Sequence, residues 1–177
     1  MEVYLVFAIG ELIVYGSDGV FVVSAHATSP IDKHDDRVFY VLKPLYGNES
    51  DIIFTPADNQ RVTMRCVMSR DDALALIYSM PNIPPLRIEN EKKRRLVYRD
   101  AMSECRNETY VSIIKSVQQK KEDCISQRKR LSESDSDYDR KAKYCLYGEL
   151  AVALGIGFNE VEGFIIKLLE EKADIAM

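Results

Sequence analysis

Metal, redox or nucleophilic chemistry in this chain would have to be built from four cysteines, Cys66, Cys105, Cys124 and Cys145, and two histidines, His26 and His34. No two cysteines form a CxxC pair, and the histidines fall near a predicted loop without an evident partner, so no metal set is expected. The spacing reads instead as buried, reduced thiols of an intracellular protein. There is no phosphate loop, nucleophile elbow or HExxH pair, which predicts a non-enzymatic protein with no cofactor and no small-molecule substrate. Glu149 stands alone, between Leu146 and Leu150 on the apolar side of a predicted helix, where a lone carboxylate is costly to bury. It is expected either to reach water at the rim or to pair with an Arg or Lys of a neighbouring helix, ahead of any catalytic role.

Two other kinds of chemistry remain: phosphate contact by clustered bases, and backbone pairing at an open strand. The formal net charge is −4, but it is unevenly spread: residues 1–68 carry 9 acids and 5 bases, and residues 69–177 carry 19 of each. The bases cluster as Lys92-Lys93-Arg94-Arg95 with Arg99, and as Arg128-Lys129-Arg130 with Arg140, Lys141 and Lys143. Lys93, Arg94, Arg95, Arg99, Arg140, Lys141 and Lys143 are therefore the candidate DNA-binding residues. Such runs are usually solvated faces. The stretch Glu133-Ser134-Asp135-Ser136-Asp137-Tyr138-Asp139 opposes a DNA role by placing acids nearby, although acids also suit a helix start capped by Ser132.

The elements that must position these residues begin with a sheet. Residues 38–42 and 52–55 are β-branched and aromatic, and the loop between them holds Pro44, Gly47, Asn48 and Ser50, which predicts an antiparallel hairpin ended by Pro56. Residues 11–15 and 19–24 form a second hairpin about the Gly16-Ser17-Asp18-Gly19 turn, and residues 61–68 add a last strand. The expected fold class is α+β: a small SH3/Tudor-like antiparallel β domain over residues 1–70, then a compact all-α bundle over residues 71–177. A sheet this small keeps an open edge, placed at Asp51, Ile52, Ile53, Phe54 and Thr55, where a partner strand can be added.

Ser69 is a predicted N-cap for a helix stopped at Met80 by Pro81, and the three prolines of residues 81–85 read as a stiff linker between the β-rich and helical parts. Helical spacing then joins Tyr98, Ala101, Met102 and Cys105. After a break at residues 106–109 it joins Tyr110, Ile113, Ile114, Val117, Cys124 and Ile125. A further helix carries Ala142, Cys145, Leu146, Leu150 and Ala153 and ends at Gly155; the last carries Val161, Phe164, Ile165, Leu168 and Leu169, with Asn159 and Glu162 as its capping pair. The apolar opening at residues 3–9 is too short for a membrane span and lacks the basic flank of a signal peptide, so a cytoplasmic protein without membrane contact is expected.

Phe7, Gly10, Glu11, Val14, Tyr15, Gly19 and Val20, the Tyr40-Val41-Leu42-Lys43 run and Pro56-Ala57-Asp58-Asn59 resemble the RNA-polymerase-interacting domain shared by CarD/CdnL-type transcription regulators and the transcription-repair coupling factor. Leu131-Ser132, Lys141-Ala142, Leu146 and Gly148-Glu149-Leu150-Ala151 are similar to the late-helix signature of CarD-like proteins, so the likeness spans nearly the whole chain. The resemblance implies that the strand edge takes up a strand of the RNA polymerase β subunit and that the helical half contacts upstream promoter DNA. The basic positions that the family uses for docking correspond here to Ser29 and Phe54. An apolar face at Ile52 and Phe54 can serve instead, with at least one of the two packing the core by alternation. The family's tryptophan wedge has no counterpart, since the chain has no Trp; Arg94 stands near its place and can stack on a base or enter the minor groove. The alternative is a protein-interaction adaptor that binds polymerase or another partner and never touches DNA.

Overall fold

Gly16 and Gly19, with φ of 51° and 100°, reverse the chain between its first two strands, and a Cβ on Gly16 would lie 2.9 Å from Val62 Cγ1. Both the backbone angle and the close approach require glycine. The computed structural model describes residues 7–28 and 37–175, and the chain divides into two units, Met1–Val67 and Met68–Met177. The fold is α+β, with the strands in the first unit and the helices in the second.

The first unit is a five-stranded antiparallel sheet of β1 (Leu12–Tyr15), β2 (Val20–Ala27), β3 (Phe39–Pro44), β4 (Ile53–Pro56) and β5 (Met64–Cys66), in the order β4-β3-β2-β1-β5. Alternation turns Ile13, Tyr15, Phe21, Val23, Tyr40 and Leu42 to one face, where they close over Phe7 as the core. A register shift between Val23 and Ala25 adds local twist to the long β2. The strand expected over residues 61–68 shrinks to the three residues of β5.

Both strand prolines sit where no donor is needed. The Leu45 N–H donates to the Val20 carbonyl at 2.9 Å, so by alternation the nitrogen of Pro44 faces away from β2, on a side where β4 has not yet begun. Pro44 thus closes β3 instead of lying in the loop. Pro56 likewise does not end the ladder, because the Ala57 N–H still donates to the Val38 carbonyl at 2.8 Å.

The second unit holds α1 (Arg70–Ser79), α2 (Arg94–Ser103), α3 (Asn107–Ser126), α4 (Glu133–Leu154) and α5 (Val161–Ile175). Ser69 caps α1 by accepting from the Asp72 N–H at 3.1 Å, and Ser132 caps α4 by accepting from the Asp135 N–H at 3.1 Å. Gly155 ends α4 in the left-handed region, φ 68°. Buried Tyr98, Met102, Tyr110, Ile113, Val117, Cys145, Leu146 and Leu150 form the core of α2, α3 and α4.

Three expectations need correction. The proline stretch lies inside the helical unit, strapped to α3: Lys115 Nζ donates to the carbonyls of Met80 and Ile83 at 2.6 Å, and the Leu86 N–H donates to Ser116 Oγ at 2.7 Å. The capping pair at the start of α5 is two residues earlier than Asn159 and Glu162, with the Gly157 N–H donating to Glu160 Oε2 at 2.6 Å. Ile125, in the last turn of α3, is 66% exposed and leaves the core face.

Candidate functional site

β4 lies at the edge of the sheet, and its hydrogen-bond phase decides what that edge can offer. Tyr40 stands opposite Thr55 and Leu42 opposite Ile53. Because bonded pairs alternate with non-bonded ones, the Ala57 to Val38 bond sets Ile53 and Thr55 as the residues bonded to β3. The amide and carbonyl of Phe54 turn outward, where no strand pairs among the described residues. Both ends of that outer side are served from within: the Ile52 N–H donates to the Ser50 carbonyl at 2.9 Å, and the Asn59 N–H donates to the Pro56 carbonyl at 3.0 Å. Pro56 has no N–H to offer. Among the described residues, what remains open is Phe54 N–H and C=O, with the Ile52 carbonyl beside them.

The five edge residues divide by side chain. Ile52 and Phe54 are 41% and 49% exposed, on the same face because they are two apart. The expectation that one of them packs the core is therefore wrong; Ile53 is the residue packed against the core cluster. Thr55 is buried, and its hydroxyl accepts from Asn59 Nδ2 at 2.8 Å, fixing the turn after β4. Asp51 is exposed, with its N–H donating to the Asn48 carbonyl at 3.0 Å. Ser29, the other position matching a basic family residue, lies outside the described residues, as do residues 3–6 of the apolar opening and His34.

On the helical unit most of the predicted DNA-binding bases are already ion-paired. Arg94 forks onto Glu91, Nε to Oε2 at 3.0 Å and Nη2 to Oε1 at 2.5 Å, and donates from Nη1 to Tyr98 Oη at 2.8 Å. Lys120 Nζ joins Glu91 Oε2 at 3.0 Å. Hydrogen bonds from Arg94 and then Lys120 hold the Glu91 carboxyl down at about 2, against an ordinary 4.5, and the bond to Glu91 raises Arg94. Arg94 is thus folded onto its own helix and not extended for stacking on a base. Arg99 pairs with Asp100 at 2.9 Å and Arg140 with Asp137; Lys143 meets Asp139 at 3.3 Å and Glu162 at 3.6 Å.

Lys93 and Arg95 are exposed and form no ion pair among the described residues. Arg95 and Lys141 are brought together across a cleft of about 470 Å3 between the starts of α2 and α4, lined also by Glu133, Ser134, Asp137 and Tyr138. The acidic run therefore serves two purposes: Asp135 turns into the cap with Ser132, while Glu133 and Asp137 face the same cleft as the bases. Leu96, next to Arg95, is 42% exposed.

Glu149 is 1% exposed and so does not reach water at a rim. Oε1 accepts from the Met68 N–H at 3.0 Å and Oε2 from Asn107 Nδ2 at 2.7 Å, so two neutral donors solvate the buried carboxylate. Cys124 and Cys145 are buried thiols, but Cys66 is exposed and Cys105 half-buried, so burial explains only two of the four. His26 is structural: Nε2 hydrogen-bonds the Phe7 carbonyl at 2.8 Å, and its ring stands 5.4 Å from that of Tyr40. Among the described residues no group of three His, Cys, Asp or Glu could hold a metal ion, and no helix is long and apolar enough to cross a membrane. No protein-family model matches the chain, and no curated protein is significantly similar to it.

Proposed function

We propose that this chain is a CarD-like, non-enzymatic transcription regulator that holds the RNA polymerase β subunit by adding one of its strands to β4, and that the helical unit touches upstream promoter DNA. The observation that carries the docking is the outward amide and carbonyl of Phe54 at an edge where no strand pairs among the described residues. The choice of partner rests on the residue resemblance in the sheet and in α4. A polymerase-bound role would place the protein in the cytoplasm. Lys93 and Arg95, exposed and without an ion pair among the described residues, are the bases offered for phosphate contact, and the exposed Leu96 beside them is an apolar side chain of the kind that can wedge a base step.

Phe54→Pro tests the docking. It removes the outward N–H while leaving the β3–β4 bonds intact. The full chain should fold as before and bind core RNA polymerase from the same cells at least about tenfold more weakly. Unchanged affinity contradicts the proposal.

A second reading, an adaptor that binds polymerase without touching DNA, is favoured by the ion pairs of Arg94, Arg99, Arg140 and Lys143. The two readings part on salt. Lys93→Glu with Arg95→Glu should lower the stability of the promoter complex and flatten its log–log salt dependence by about 0.9 per lost phosphate contact. An unchanged slope selects the adaptor.

A further inference from the structure

We infer that the strand recruited at β4 is apolar at its centre and basic at the end that meets Glu49 and Asp51. This rests on the edge docking proposed above and specifies the chemistry of its occupant. The open part of the edge offers three backbone groups, Phe54 N–H, Phe54 C=O and Ile52 C=O, because its ends are capped from within. Three hydrogen bonds at about 1 kcal/mol each cannot select one strand among many. Recognition must come from side chains.

The side chains available are of two kinds. Ile52 and Phe54 project from one face, 41% and 49% exposed. In antiparallel addition the incoming residue opposite Phe54 exchanges both hydrogen bonds with it and projects on the same face, and the residue two places on lies beside Ile52. Both incoming positions therefore suit β-branched or aromatic residues.

Beyond this apolar centre, the segment of residues 48–60 contains Glu49, Asp51 and Asp58 and no Lys or Arg. All three acids are exposed, and none forms an ion pair among the described residues. Glu49 and Asp51 stand before β4, whereas after it Asp58 is followed three residues on by the exposed Arg61, so the negative end of the edge is the one at Glu49 and Asp51. Lys43, an exposed base of the same sheet, belongs to β3, one strand back. A strand with Lys or Arg at the end beside Glu49 and Asp51 gains attraction there, and the long aliphatic stems reach past the turn. An acidic strand is repelled there.

The test uses the full chain and core RNA polymerase from the same cells, with affinity measured at low and at high salt. Wild-type binding should weaken as salt rises. Glu49→Lys with Asp51→Lys, both at exposed turn positions, should weaken binding about tenfold at low salt, with the difference shrinking at high salt. A reversed variant that binds as tightly as wild type or tighter at low salt overturns the basic-ended strand. Phe54→Pro, with Phe54→Ala as the substitute if proline unfolds the sheet, separates the two claims. If it loses binding while the charge variant does not, the edge docking stands and this inference falls; if the proline variant too binds normally the docking itself is wrong, and if the alanine variant does, the apolar centre falls.

Discussion

At the scale of single residues, Glu149 is the group whose chemistry sequence spacing exposed but could not resolve. A carboxylate between Leu146 and Leu150 announces a buried or bordering charge, since residues three and four apart share a helix face. Its donors were not legible, because Met68 lies 81 and Asn107 42 positions away. Truncation would leave the Met68 N–H and the Asn107 amide without this acceptor, and would open a cavity. Glu149→Ala should therefore destabilise the protein by about 3 kcal/mol and lower its unfolding midpoint by about 10 °C, with Glu149→Gln, which keeps one acceptor oxygen, affected less. A thermal melt in which Glu149→Ala matches wild type would contradict this role. Arg94 teaches the complementary lesson. Its partner Glu91 is three residues away and readable from the string, whereas Lys120, which completes the cluster, becomes a neighbour only when α3 packs nearby.

At the scale of elements, local signals are legible in the sequence and packing-dependent ones are not. The hairpin about Gly16 and Gly19 and the caps at Ser69 and Ser132 depend on bonds within a few residues, so the sequence contains what decides them. The order β4-β3-β2-β1-β5 is different, as it depends on where strands remote in sequence close the sheet. Ile125 continues the apolar period of α3, but periodicity cannot say where the opposing surface stops. The prolines at 81–85 read as a spacer because their stiffness is local; the strap to Lys115, some thirty residues on, is not. Phase within a strand also lies beyond composition. Proline is tolerated on the outward positions of β4 but would break the ladder at Ile53, whose N–H is bonded to β3. A proline at Ile53 would thus report on folding, and only one at Phe54 reports on docking.

At the scale of the molecule, counting charges located the acid-rich segment and the base-rich one, but not how far the bases are neutralised. Glu91, Asp100, Asp137, Asp139 and Glu162 are paired with bases that clustering alone marks as phosphate contacts. The division between units falls between Val67 and Met68, with α1 in the helical unit. Amide hydrogen exchange across β4 tests docking at the sheet edge most directly. On addition of core RNA polymerase, the Phe54 amide should pass from fast to slow exchange, while the Ile53 and Thr55 amides, already bonded to β3, should change little. A Phe54 amide that exchanges equally fast with polymerase bound would contradict strand addition at this edge.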